Sequence, residues 1–153
     1  LSESLAVWNM CKDRGFRMKL NTVVCRTNLG DDMRELVLDL LPDRWKVFQI
    51  LPVEGQNDGD VESLLITCDE FMRWVEKHTD LEAGLNPVHE SNDVMRGSYA
   101  MLDALGRFYD STEGCYTYSS HSILDVGVHE AWTEVCFDYS KFYQRDGEYA
   151  WEA

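Results

Sequence analysis

The chain has 153 residues, of which 44% are hydrophobic and 27% charged, and its formal net charge is −14. This composition is typical of a folded domain of ordinary size. The acidic charge and the absence of a Lys/Arg cluster argue against a nucleic-acid binder and against binding to an anionic membrane surface.

The five cysteines are odd in number, and no pair has C-x-x-C spacing. The pattern therefore predicts neither a disulfide framework nor a zinc site, and it favours a reducing, cytoplasmic compartment. No apolar run reaches the length of a membrane span, and no signal peptide opens the chain. Because the opening Leu1-Ser2-Glu3 carries no initiator Met, we expect a further segment upstream.

Hydrophobic periodicity predicts helix–strand–helix–strand in the first third of the chain. A helix with apolar residues at helical spacing ends near Gly15, and an alternating strand spans residues 16–25. The next helix stops at Pro42. A nearly continuous apolar run then predicts a buried strand over residues 45–53. Two consecutive strands joined by a helix indicate a parallel sheet or barrel of the α/β class.

The remainder of the chain has a different character. Thr67 and Glu70 form a capping-box pattern at the start of a helix. The buried face of that helix is predicted to comprise Phe71, Trp74, Val75 and His78. Further predictions are a loop over residues 81–92, either strand or helix over 98–109, strand or loop over 114–122, and a helix over 126–135 capped by Asp125.

Cationic and amide side chains occupy matching positions on the two predicted strands. Lys19 and Asn21 share one face because strand side chains alternate with period two, and Arg44 shares a face with Lys46 in the same way. A buried cation needs a partner. Two interpretations are open: pairing with carboxylates of this acidic chain, or binding of a polyanion inside a barrel.

The other chemically capable residues carry weaker signals. Tyr99 lies in an amphipathic stretch, where a tyrosine is more often part of the core than a catalyst. The histidines show no metal-ligand spacing, so no metal site is predicted, and no phosphate loop or nucleophile elbow occurs. The residues alone therefore indicate part of an α/β barrel that binds an anion.

Several segments, in order along the chain, resemble motifs of the viperin family of radical S-adenosylmethionine (SAM) enzymes. FRMKLNTVV at residues 16–24 is similar to the family's FKINSV strand, and EGQN at 54–57 is similar to EGEN. RWKVFQ at 44–49 and SILDVGV at 122–128 match the family's motifs letter for letter. Together the last two make a specific signal.

The resemblance implies the C-terminal part of a partial (β/α)6 radical SAM barrel with a C-terminal α+β extension. Residues 1–57 would hold the last barrel strands and helices, and residues 58–153 the extension over the nucleotide site. In the family, a 4Fe–4S cluster bound by C-x3-C-x2-C and SAM convert CTP to 3′-deoxy-3′,4′-didehydro-CTP, an antiviral chain terminator. Most ligands of both cofactors would lie upstream, so the present chain alone would be inactive.

The resemblance also assigns site residues. Lys19 and Asn21 match substrate-contacting residues, Arg44 and Lys46 match triphosphate-binding cations, and Tyr99 matches a tyrosine proposed to reduce a substrate radical. The family's additional lysines between positions 114 and 122 are absent, which puts one triphosphate contact in doubt. Implied partners are a nucleoside triphosphate and the iron–sulfur assembly machinery.

Three alternatives remain at the level of sequence. The first is the same chemistry on UTP or GTP, and the second is a non-catalytic module that binds a nucleotide or a protein. The third is half of an unrelated phosphate-binding barrel. The resemblance implies a cytoplasmic protein, either free or on the cytosolic face of the endoplasmic reticulum or lipid droplets.

Overall fold

A computed structural model describes residues 2–85 and 87–148. Residues 1, 86 and 149–153 lie outside the described part. They belong to the two segments predicted from the sequence, 1–57 and 58–153. The helices are α1 (Ser2–Asp13), α2 (Arg34–Leu40), α3 (Cys68–Lys77), α4 (Glu82–Leu85), α5 (Asn92–Met95), α6 (Ile123–Val126), α7 (Val128–Trp132) and α8 (Tyr139–Gln144). The strands are β1 (Lys19–Val24), β2 (Arg44–Gln49), β3 (Val88–Glu90), β4 (Met101–Leu102), β5 (Phe108–Asp110) and β6 (Thr117–Tyr118).

The strands form two small sheets, with the orders β1-β2-β3 and β4-β5-β6. Contacts group the chain into two compact units, which are described separately below. Unit 1 comprises residues 1–49 and 66–89, and unit 2 comprises residues 50–65 and 90–153. The α/β class predicted from the sequence is confirmed, whereas the boundary predicted at residue 57 stays a prediction.

In unit 1, β1 and β2 pair in parallel, as the intervening helix predicted. The face formed by Thr22, Val24, Trp45 and Val47 is buried. Burial of the Trp45 ring leaves its N–H in need of an acceptor. That acceptor is the Thr22 hydroxyl, with 3.0 Å between Nε1 and Oγ1. Both strands are shorter than predicted. β1 begins only at Lys19, and β2 ends at Gln49, because the pairing between them is limited to these residues.

Helix α1 ends just before Gly15, as predicted, and Gly15 has a φ of 75°. None of its described residues is fully buried. Two polar side chains attach it to the end of α2: Trp8 Nε1 and Lys12 Nζ both donate to the carbonyl of Leu40, at 3.0 and 2.9 Å. A cation at this position also complements the negative end of the α2 dipole.

Helix α3 carries the predicted capping box: the Thr67 side chain accepts from the Glu70 N–H, and the Glu70 carboxylate accepts from the Thr67 N–H. Its predicted buried face is also confirmed, with His78 as the C-cap residue. His78 Nε2 accepts from the Met33 N–H at 3.0 Å, and Nδ1 lies 2.8 Å from the Trp74 carbonyl. These contacts assign the proton of a neutral ring to Nδ1. His78 therefore links α3 to the start of α2.

In unit 2, β4, β5 and β6 form an antiparallel sheet. The ring of Tyr109 on β5 stacks on Tyr118 of β6 with centroids 5.1 Å apart, and it meets Tyr116 edge-on at 4.9 Å. These short strands resolve the ambiguity over residues 98–109, because β4 and β5 are strands joined by a turn at Gly106.

Two predictions for the later part of the chain are wrong. The predicted loop over residues 81–92 contains α4 and β3, and β3 forms because it pairs beside β2. The predicted helix over 126–135 is interrupted at Gly127, whose φ of 85° and ψ of 162° end α6 before α7 begins. The predicted cap of that helix, Asp125, lies inside α6, whose N-cap is Ser122, with the Ser122 hydroxyl accepting from the Leu124 N–H at 3.2 Å.

Candidate functional site

The four predicted substrate-binding residues come together on one face of the β1–β2 pair. The parallel register places Lys19 beside Arg44 and Asn21 beside Lys46. Because side chains of a strand alternate between faces, all four lie on the face opposite Thr22 and Trp45. We call Lys19, Asn21, Arg44 and Lys46 the cationic face.

Exposure differs sharply across the cationic face. Lys19 and Asn21 are exposed, Arg44 is half-buried and only 1% of Lys46 is exposed. The three cations also interact with other groups of the chain. Both earlier interpretations, pairing with carboxylates and binding of a polyanion, are therefore compatible with the structure. What the arrangement offers chemically is three positive charges and one amide at neighbouring register positions, a set suited to phosphate oxygens.

The predicted catalytic tyrosine, Tyr99, lies in unit 2 and belongs to a separate cluster. Its hydroxyl donates to Glu90 Oε2 at 2.6 Å. The guanidinium of Arg145 lies over its ring, with 3.8 Å between Cζ and the ring centroid. Arg145 Nη1 is 4.0 Å from Glu90 Oε1. Tyr99 is therefore held between a carboxylate and a cation, and we call these three residues the tyrosine cluster.

Both partners of Tyr99 are buried: Glu90 is 0% and Arg145 is 6% exposed. Arg145 is fixed by two further hydrogen bonds, from Nε and Nη2 to the Ser98 carbonyl at 3.2 and 2.7 Å. Sequence reasoning assigned no role to Glu90 or to Arg145. No spacing rule connects residues so far apart in the chain, so only the tertiary structure reveals the cluster.

The segment between positions 114 and 122, which lacks the family's additional lysines, makes hydrogen bonds to Glu134 near its C-terminal end. Glu134 accepts from the backbone N–H groups of Ser120 and His121, at 2.6 and 3.2 Å, and its Oε1 lies 2.6 Å from His121 Nδ1. This carboxylate raises the pKa of His121. His121 is therefore an ion-pair partner of Glu134, and the loss of one triphosphate contact here stays a prediction.

No group of three or more His, Cys, Asp or Glu side chains in the described residues is arranged to hold a metal ion. The five cysteines are free and scattered along the chain, as their numbering implies. Since iron–sulfur clusters are held by grouped thiolates, the residues present do not fit such a cluster. None of the helices in the described ranges has the length and hydropathy needed to cross a membrane.

No family model matches the chain. The chain is 45% identical over 138 residues to a protein of Flammeovirga pacifica named S-adenosylmethionine-dependent nucleotide dehydratase, an alignment that covers 90% of this chain and 46% of that relative. It is 39% identical over 156 residues to S-adenosylmethionine-dependent nucleotide dehydratase RSAD2 of Oncorhynchus mykiss, which covers 99% of this chain and 44% of that protein. A relative of the same name from Danio rerio is 40% identical over 150 residues, covering 95% of this chain and 41% of the relative.

The chain thus spans less than half the length of these curated relatives. The similarity extends over nearly all of the present chain and includes both the strands and the later segments. The resemblance to the viperin family predicted from the motifs is confirmed, because proteins named S-adenosylmethionine-dependent nucleotide dehydratase match the chain over nearly all of its length.

Proposed function

We propose that this chain is the substrate-binding part of a radical SAM nucleotide dehydratase that converts CTP to 3′-deoxy-3′,4′-didehydro-CTP. The observation that carries the proposal is the cationic face, where the parallel register aligns Lys19 with Arg44 and Asn21 with Lys46. The names of the relatives support the reaction class. The parallel β1–β2 pair supports its placement as the last two strands of a partial (β/α)6 barrel, followed by the α+β extension.

The cationic face supplies the binding energy for the triphosphate. Arg44 presents a planar fork of donors that matches phosphate oxygens, whereas Lys19 and Lys46 act as compact charges. Lys46 is the most deeply placed of the three, with 1% of its surface exposed. Charge-assisted hydrogen bonds are strongest in such a water-poor setting. Asn21 completes the set with an amide that both donates and accepts.

Tyr99 is assigned the final reduction of the substrate. Removal of the 4′-hydrogen leaves a nucleotide radical, which needs one electron and one proton to yield the didehydro nucleotide and water. A phenol can give up an electron as it releases its proton, and a phenyl ring cannot. The hydroxyl of Tyr99 and its hydrogen bond to Glu90 supply the chemical group for this step.

SAM would supply the radical chemistry, and a 4Fe–4S cluster would supply the electron that SAM cleavage requires. No residue group in the described ranges fits the cluster, so its ligands are expected in the part of the protein that this chain does not span. The complete protein would then depend on the iron–sulfur assembly machinery. The proposed location is the cytoplasm or the cytosolic face of an internal membrane, and the proposed biological role is antiviral defence.

The test uses the complete protein of which this chain is part. It is incubated with SAM, a one-electron reductant and CTP, UTP or GTP in separate reactions, and nucleotide products are identified by mass spectrometry. We expect a product lighter than CTP by one water, together with 5′-deoxyadenosine. Dehydration of UTP or GTP in place of CTP would change the assigned base, whereas binding of nucleotide without any dehydration would establish the non-catalytic module.

A further inference from the structure

Tyr99 has a single phenolic hydrogen, which it donates to Glu90 within the tyrosine cluster. The 2.6 Å between the Tyr99 hydroxyl and Glu90 Oε2 lies within the range of a charge-assisted O–H···O⁻ bond. Glu90 is fully buried, and Arg145 stands 4.0 Å from its other oxygen, so a compensating cation accompanies its negative charge. The hydrogen therefore points at a carboxylate, a good proton acceptor.

This geometry separates the paths of the electron and the proton. Direct transfer of the phenolic hydrogen atom to a nucleotide would first require the hydroxyl to turn away from Glu90. Movement of the proton along the existing hydrogen bond requires no rotation. The electron leaves from the ring, whose orbitals extend well beyond the hydroxyl.

Arg145 favours loss of the proton when Tyr99 is oxidised. Its guanidinium lies 3.8 Å from the centroid of the Tyr99 ring and is fixed by two hydrogen bonds to the Ser98 carbonyl. A fixed cation at this distance opposes the build-up of positive charge on the ring. Oxidation of Tyr99 is therefore less costly when the phenolic proton leaves in the same step.

We propose that Glu90 is the proton acceptor of Tyr99 in the reduction of the substrate radical, and that Arg145 is the positioning residue that couples the two transfers. The inference rests on the proposed function. In the step, Tyr99 loses one electron to the nucleotide radical and its proton to Glu90 Oε2. The nucleotide gains that electron, its C3′–O bond breaks, the C3′=C4′ bond forms and hydroxide leaves. A neutral tyrosyl radical and a neutral Glu90 carboxyl group remain, and a one-electron reductant together with the Glu90 proton restores the phenol.

The first test compares three variants of the complete enzyme. Glu90→Gln keeps the size and an acceptor oxygen but cannot take up a proton, and Tyr99→Phe is the benchmark for loss of the reductant. Glu134→Gln is the matched control, because Glu134 also accepts hydrogen bonds in unit 2 but belongs to the His121 pair. The measured quantity is the ratio of didehydro nucleotide to 5′-deoxyadenosine in one reaction, together with the nucleotide Kd.

We expect Glu90→Gln to lower this ratio by about 100-fold, the lower end of the contribution of a positioned proton acceptor, with an unchanged Kd. Tyr99→Phe is expected to match it, and Glu134→Gln to retain the original ratio. If Glu90→Gln keeps the original ratio while Tyr99→Phe loses it, Tyr99 delivers the hydrogen directly and the Glu90 proposal is overturned. If Tyr99→Phe keeps the ratio, the role assigned to Tyr99 under the proposed function fails, and the Glu90 proposal fails with it.

A second measurement needs no turnover. With 3-fluorotyrosine incorporated at position 99, the ¹⁹F resonance reports the hydrogen bond of the phenol in the protein without SAM. It is expected to shift in Glu90→Gln and to stay in place in Glu134→Gln. An unmoved resonance in Glu90→Gln would show that the two side chains do not interact in solution, and it would overturn the proposal even if the enzyme is active.

A third measurement covers the case in which Glu90→Gln does not fold, as judged by its thermal melting. The unsubstituted enzyme is freeze-quenched during turnover in D₂O and examined by electron–nuclear double resonance. We expect a tyrosyl radical with an exchangeable deuteron hydrogen-bonded to its oxygen, since Glu90 holds the proton beside it. A radical without such a deuteron, or no tyrosyl radical at all, would overturn the proposal.

Discussion

At the scale of single residues, Lys46 combines a charged side chain with nearly complete burial, at 1% exposed. We expect Lys46→Ala in the complete enzyme to weaken CTP binding by about 1.5–3 kcal/mol, the range for hydrogen bonds to charged groups. The measurements are nucleotide affinity by calorimetry and the melting temperature of the same variant. Lys77→Ala is the control, because Lys77 lies in unit 1 but donates to the carbonyls of Gly30 and Asp31.

The two interpretations of the cationic face give opposite results in this pair of measurements. If Lys46 serves mainly to pair with a carboxylate, its removal leaves a buried charge and destabilises the fold by about 3–5 kcal/mol. Nucleotide affinity would then be nearly unchanged. A large loss of stability with intact CTP binding would remove Lys46 from the proposed triphosphate site.

Gly97 illustrates a residue whose identity is set by both backbone and packing. Its φ is +74°, and a Cβ would lie 2.7 Å from Thr112 Oγ1. We expect Gly97→Ala to lower the free energy of unfolding by about 1–2 kcal/mol for the left-handed backbone alone, with a further loss from the contact with Thr112. Chemical denaturation of the chain measures the change.

Gly55→Ala provides the matched control for Gly97. Gly55 has a φ of +77°, but nothing lies within 4 Å of its Cβ position. Gly55→Ala therefore has the free-energy cost of a left-handed backbone at alanine but no steric contact. Equal losses in the two variants would show that Thr112 moves aside at no cost.

At the scale of secondary-structure elements, helix α3 shows how a local signal specifies a boundary. Its capping box is encoded within four residues, so the sequence located the start of the helix without tertiary information. We expect Thr67→Ala to lower the free energy of unfolding by about 1 kcal/mol, the usual value of an N-cap. Urea denaturation at neutral pH measures it, with Thr79→Ala, beyond the end of the helix, as the control. No difference between the two variants would contradict the role of the cap.

The same helix predicts a pH dependence through Glu70. Its hydrogen bonds to Arg26 and to the Thr67 N–H lower the pKa of Glu70 from 4.5 to about 2. Because the pKa is lower in the folded state, the stabilisation is complete above pH 4.5 and is lost as the pH falls toward 2. The difference in stability between the unsubstituted chain and Glu70→Gln should therefore narrow over this interval in urea titrations. A difference that stays constant across it would refute the assignment.

Helices α6 and α7 show the limit of such local signals. The apolar pattern continues across residues 126–135, and periodicity alone predicted one helix. Gly127, with a φ of 85° and an extended ψ of 162°, ends α6 before α7 begins. Glycine tolerates this conformation but does not enforce it. The sequence therefore permitted the break without requiring it.

At the scale of the whole molecule, the chain contains the candidate substrate-binding residues but spans less than half the length of its curated relatives. We expect the isolated chain, treated with iron and sulfide under reducing conditions, to show no visible absorbance of an iron–sulfur cluster and no cleavage of SAM. Its five cysteines lack the grouped spacing that such clusters use. The complete protein, treated in the same way, is the positive control. A stable cluster on the isolated chain would contradict the proposal that the cluster ligands lie in the part of the protein that this chain does not span.

The sequence by itself determined the α/β class, the parallel strand pair, the shared faces of Lys19 with Asn21 and of Arg44 with Lys46, and the resemblance to the viperin family. Each of these depends on local periodicity or on contiguous motifs, which a single chain displays directly. Only the tertiary structure decided that the two strand faces meet in register. Likewise, only the tertiary structure shows that Tyr99 contacts Glu90 and Arg145. Such contacts join residues distant in sequence, and they form because chain packing, rather than local propensity, selects which buried charges lie together.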